Sequence, residues 1–183
     1  MSTKYKFKDS EACYFVTYAV VDWADVFTRN VYREILLDSW KYCQQHKGLN
    51  IHAYVIMTNH AHMIMSKSGE TALESIMRDM KKFTSVKLLE AIQSNNKESR
   101  REWLLELFRK AGKENSNNKI NQFWQQDNHP IQCSTPEILK QKMNYVHENP
   151  VRAGLVEKPE DWHWSSAVDY YLGKKGLIDL SFV

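Results

Sequence analysis

Two histidines one residue apart, His60 and His62, sit in the oily run "MTNHAHMIM". On a β-strand the side-chain period is two, so both imidazoles point to one face while Ala61 and Met63 take the other. That geometry suits two nitrogen ligands on a single divalent ion. Two side chains hold an ion loosely, so a further ligand should come from another element over the same face. Near the C-terminus, Tyr145 and Asn149 are four residues apart on a strongly patterned helix and stand side by side along one edge of its core stripe of Leu139, Met143 and Val146. A phenol able to act as nucleophile and an amide oxygen able to act as ligand thus lie one turn apart. His147 falls nearly opposite Tyr145 on that helix and reads as structural. Asn149 also has a plainer reading, as the helix stop before Pro150.

Several elements must position these groups. "CYFVTYAVV", Cys13 to Val21, is β-branched and aromatic, a buried strand. Tyr32, Ile35, Leu36, Ser39, Trp40 and Cys43 form the stripe of an amphipathic helix that Gly48 ends. "IHAYVIM" and "HAHMIMS" flank Thr58 and Asn59 as the arms of a hairpin. Thr71 with Glu74 and Ser99 with Glu102 have capping-box spacing, each before a helix, and the second helix ends at Gly112. "INQFWQQ" reads as an edge strand. Ser134, Pro136 and Glu137 start the helix that carries Tyr145, and Pro150 should end it. A turn-rich tail from about residue 150 to 183 carries a short last helix near Ser166 to Tyr171 and docks Trp162 and Trp164, whose indole N–H groups need partners. The order strand, helix, hairpin, helix, strand, helix predicts a single α+β domain over residues 1–183. It is a ferredoxin-like antiparallel sheet with helices packed on one face and Tyr145 on a C-terminal helix.

With 183 residues, 43% of them hydrophobic and 12% aromatic, the chain can bury a sizeable core. There is no apolar run long enough to cross a membrane and no signal-peptide core, which leads us to expect a cytoplasmic protein. Cys13, Cys43 and Cys133 lack metal-site spacing and read as reduced thiols. The net charge of +3 is too small to name a partner. Its distribution is more informative: Arg78, Lys81, Lys82 and Lys87 cluster on one predicted helix, with Arg152 elsewhere. These are candidate phosphate contacts, against the plainer reading of a solvated helix back. Tyr14, Phe15 and Trp124 are candidate stacking surfaces for unpaired bases, against core packing.

The pair "NHAHMIM" and the segment "YVHENPVRAGLVEKPEDWHWSSAVDYY" resemble the single-tyrosine HUH transposases, in particular the REP-associated tyrosine transposases and their insertion-sequence relatives. The resemblance implies an enzyme that cleaves and rejoins single-stranded DNA near hairpins through a 5′-phosphotyrosine, using Mg²⁺ or Mn²⁺. In it His60 and His62 take the place of the HUH ligands, Tyr145 of the nucleophile and Asn149 of the third ligand. Two positions depart from the pattern. Asn149 stands where insertion-sequence members usually have Gln, and Thr58 stands where relatives often have Pro. The segment 99–130 exceeds the minimal transposases. The rival expectation is a non-catalytic nucleic-acid-binding protein of the same fold. Whether the helix bearing Tyr145 serves its own subunit or a partner's in a homodimer is left open by the sequence.

Overall fold

The computed structural model describes residues 7–115, 120–126 and 130–182. Four antiparallel strands form one sheet in the order β2-β3-β1-β4: β1 Tyr14–Ala19, β2 Leu49–Ile56, β3 His60–Lys67 and the two-residue β4 Ile131–Gln132. Alternation along the strands divides the side chains between two faces. Tyr14, Val16 and Tyr18 of β1, Ile51, Tyr54 and Ile56 of β2, and Ala61, Met63 and Met65 of β3 enter the larger core. Phe15, Ala53, Val55 and Ile64 enter a smaller one. A register shift between Ile51 and Ala53 brings the β2 alternation into phase with its neighbour.

The larger core lies under α1 (Asn30–Lys47) and α2 (Leu73–Ser94), with α3 (Arg101–Lys113) packed beside α2. Trp40 of α1 is fully buried there, edge-on to Tyr18 and Tyr54; truncating such a residue to Ala would cost about 3–5 kcal/mol. The antiparallel sheet with α1 and α2 on one face is thus the expected arrangement. The opposite face is not bare: α4 (Pro136–Arg152) lies across β2 and β3 there, setting Val146 into the smaller core. Among the described residues, no helix is long and apolar enough to cross a membrane, and the three cysteines are free thiols.

Gly48 ends α1 in the left-handed conformation, its N–H donating to the Cys43 carbonyl. The helix starts differ from expectation. Ala72, not Thr71, is the first cap of α2, and it has no side-chain acceptor. Ahead of α3 the buried Glu98 carboxylate replaces Ser99: it accepts from the Arg100 backbone N–H at 3.2 Å and from the side chains of Arg29 and Arg100. A carboxylate satisfies that helix end and fixes the start of α1 at once, which a serine hydroxyl cannot. Gly112 lies inside α3 rather than after it. Thr135, not Ser134, caps α4 by accepting from the Ile138 N–H. Pro150 does not end α4, which runs on to Arg152 and closes at Gly154, whose φ is 69°. A proline near the last turn forfeits one ladder bond, and here the ring is buried. The expected strand at 120–126 is absent: Trp124 makes only an isolated bridge to Val20.

The tail runs along the outer edge of β2. Trp164 O accepts from Ile56 N–H at 2.9 Å, Ser166 N–H donates to Tyr54 O at 3.0 Å, and Ser181 N–H donates to Ile51 O at 2.9 Å. The Trp162 indole donates to Ile56 O, and α5 (Ala167–Leu172) follows as expected.

Candidate active site

The site is assembled where β1, β3 and α4 meet on the face of the smaller core. His60 and His62 do point the same way, and their Nε2 atoms lie 3.1 Å apart. Antiparallel register sets Thr17 of β1 opposite His62, and its Oγ1 is 2.7 Å from His62 Nδ1. At His60 the Nδ1 atom is 2.7 Å from Asn59 Oδ1. An amide oxygen only accepts, so His60 carries its proton on Nδ1 and turns a lone pair outward from Nε2. A hydroxyl can donate or accept, so Thr17 supports two states of His62. With Thr17 donating to Nδ1, the His62 Nε2–H donates to His60 Nε2. With Thr17 accepting from Nδ1–H, both Nε2 lone pairs converge on one point.

Burial disfavours charge on both rings. It pushes His60 down to about 4. For His62, only 4% exposed, burial together with the neighbouring His60 and Lys142 brings the value to about 3. At pH 7 the pair is neutral, the state in which imidazole binds metals. Among the described residues no group of three or more His, Cys, Asp or Glu converges. Two neutral imidazole nitrogens are a donor set that a divalent ion could take, with oxygen ligands in its remaining positions.

Tyr145 is brought to the pair by α4. Its ring lies edge-on to His62, centroids 5.1 Å apart, and to Phe15 at 5.7 Å. This closeness arises within one chain. Because Pro150 does not stop the helix, Asn149 lies inside it, half-buried, one turn beyond Tyr145. Two cations flank the phenol ring: Lys142 Nζ is 5.8 Å and the Arg152 guanidinium 5.5 Å from its centroid.

Other candidates lie elsewhere. Arg78, Lys81, Lys82 and Lys87 belong to α2, on the opposite layer of the sheet. Lys81 donates to Gln125 O at 2.7 Å, Lys87 pairs with Glu90, and Arg78 pairs with Asp79. Tyr14, Phe15 and Trp124 are buried and pack in the two cores. His147 is buried against Ser166, Nε2 to Oγ 2.8 Å, in keeping with a structural role.

Thr17, Asn59 and Lys142 were not singled out from sequence. A polar residue on the same face as Phe15 in an otherwise apolar strand was the available signal for Thr17. For Lys142 it was the position one turn before Tyr145. For Asn59 the sequence offers only a turn signal.

The family model described as "Transposase IS200 like" matches residues 14–126, a span holding both histidines and ending before α4. No curated protein matches by sequence. The solved "Structure of the REP associates tyrosine transposase bound to a REP hairpin" is similar, with a TM-score of 0.67 at 17% identity over 100% of this chain and 95% of that one. At that identity the likeness establishes the fold, a four-stranded antiparallel sheet with helices. The family model covers more than half of the sequence, and on that ground the chain belongs to the IS200-like transposases.

Proposed function

We propose that this transposase cleaves and rejoins single-stranded DNA beside a hairpin, as a metal-dependent nickase and strand-transferase with Tyr145 as its nucleophile. One observation carries the reading: the Tyr145 ring lies 5.1 Å from that of His62, while the Nε2 atoms of His60 and His62 stand 3.1 Å apart. His60, His62 and Asn149 would hold Mg²⁺ or Mn²⁺. The ion would polarise the scissile phosphate and stabilise charge on the departing oxygen.

The chain's own groups supply the rest. Tyr145 Oη attacks phosphorus and gives up its proton to solvent. The P–O3′ bond breaks, the 3′-hydroxyl leaves carrying a proton, and a 5′-phosphotyrosine remains. Attack by another 3′-hydroxyl reverses the step and joins the strands. Lys142 and Arg152 place positive charge beside the phenol ring, which would favour a phosphodiester brought to its hydroxyl. Asn59 and Thr17 hold the histidine rings in position. Arg78, Lys81, Lys82 and Lys87, on the far layer, would touch only DNA that extends beyond the cleavage point. A homodimer is not needed to bring Tyr145 to the histidines.

The test is covalent capture. A pool of hairpin oligonucleotides with randomised single-stranded flanks is mixed with the protein and Mn²⁺ and run on a denaturing gel. A protein–DNA adduct that Tyr145→Phe abolishes is expected. No adduct from the wild-type chain with Mn²⁺ or Mg²⁺ would leave the rival, a DNA-binding protein without cleavage.

A further inference from the structure

Between β1 and α1, Asp22 and Trp23 take φ values of 52° and 55°, the positive-φ non-glycine residues of the described chain. That region is costly for any residue with a Cβ and unusual for one as bulky as tryptophan. It persists only where the surroundings impose it, and here they do. Trp23 N–H donates to Val20 O at 3.0 Å, and Trp23 O accepts from Asn59 Nδ2 at 3.1 Å. On the next turn Phe27 N–H donates to Thr58 O and the Thr58 hydroxyl to Asp25 Oδ1.

The imposed backbone holds an indole away from the core. Trp23 is 53% exposed, whereas Trp40, Trp124 and Trp164 are buried. It is also held against the site, its ring 5.5 Å from that of His60 at an interplanar angle of 77°. Asn59 links the two, donating through Nδ2 to the Trp23 carbonyl and accepting at Oδ1 from His60. Burial explains Trp40, Trp124 and Trp164; Trp23 and Trp103 are each 53% exposed, and of these two Trp23 lies in ring contact with His60.

We propose that Trp23 is a stacking platform for an unpaired base, that of a nucleotide flanking the phosphate held at the histidine pair. The proposal deepens the single-stranded DNA reading and rests on it for the position of that phosphate. An indole offers the largest flat face of any side chain, and every base has a matching one, so the contact is tolerant of sequence. In a duplex the bases are already stacked on each other, so the platform favours single strands. The 5.5 Å separation from His60 is less than two base steps of about 3.4 Å, so the base received is an immediate neighbour of the reacting phosphate.

Fluorescence anisotropy tests this without metal or cleavage. Two labelled strands of about twelve nucleotides are compared, oligothymidine and an abasic strand with the same phosphates. The wild-type chain should prefer oligothymidine by roughly tenfold or more. Trp23→Gly, which suits the positive φ and keeps the loop on its course, should lose most of that preference while binding the abasic strand as before. Trp23→Phe should recover part of it. Equal binding of the two strands by the wild type, an unchanged preference in Trp23→Gly, or an equal weakening on both strands would each overturn the proposal. Failure of the nuclease reading would instead show as a missing Tyr145 adduct with the base preference intact.

Discussion

Replacing Thr17 by Val keeps the shape of the β1 strand and removes one hydroxyl, 2.7 Å from His62 Nδ1. His62 is 4% exposed, so water does not readily take the place of that hydroxyl. The variant keeps its proton on Nε2, where it donates to His60 Nε2 across 3.1 Å. Binding an ion then requires the proton to move to Nδ1, where it becomes a buried donor without an acceptor. Such a group costs about 1–3 kcal/mol. At 1.36 kcal/mol per decade this is a loss of roughly 5- to 150-fold in Mn²⁺ affinity, a span that brackets the roughly 10- to 100-fold usual for groups that orient metal ligands. Isothermal titration of Mn²⁺ into the wild type, Thr17→Val and Thr17→Ser measures it, with thermal unfolding as a check on folding. Thr17→Ser restores the hydroxyl and should bind close to wild type. Equal affinity in the Val variant and the wild type, with all three folded, would refute the tautomer reasoning.

Tyr145→Phe should keep hairpin binding and thermal stability within experimental error and form no covalent adduct, since the ring still packs on Phe15 and His62; an adduct in that variant would move the nucleophile elsewhere. Lys142→Met with Arg152→Met should lower the slope of log affinity against log salt by about 1.4, two single-strand phosphate contacts at about 0.7 each, while Lys82→Ala leaves it unchanged on an oligonucleotide that spans only the site. The reverse result would carry the DNA path over α2. Burial holds His52 below the ordinary histidine value and pushes His147 down to about 4. A depressed folded value means that the unfolded chain binds protons first, so stability is full above pH about 6.5 and falls toward pH 4. Urea unfolding across that window should show this decline, and His52→Gln should make it shallower by up to one proton; an unchanged slope would remove His52 from the account.

The site was legible where short-range periodicity decides it. His60 and His62 share a face because strands alternate, and Tyr145 and Asn149 share a helix edge because residues four apart do. Placing that edge over that face needed tertiary information, since a helical wheel does not say on which side of a sheet the helix lies. For the same reason the basic back of α2 was associated with DNA although α2 packs on the other layer. Thr17 escaped notice because its role depends on a register across sequence-distant strands. Trp23 escaped because a bulky residue with positive φ is held there by Asn59 and Val20 and has no sequence signature. The capping spacings at Thr71 and Ser99 do not mark the caps, because α2 starts one residue later, after Ala72, and ahead of α3 the buried Glu98 carboxylate takes the Arg100 N–H in place of a serine hydroxyl.

The tail laid along β2 has a consequence for handling the protein. The strand "LNIHAYVI" is mostly apolar, has no Asp, Glu, Lys or Arg and is rich in β-formers, the composition that stacks with copies of itself. An open edge of that kind recruits other chains, and here the peptide groups of Ile51, Tyr54 and Ile56 are occupied by Ser181, Ser166 and Trp164. A chain cut before Trp162 would lose all three partners and leave the edge free. Its first symptom would be precipitation or fibre formation rather than a defect in chemistry, and such a fragment would be scored as inactive with its histidine pair and Tyr145 still present.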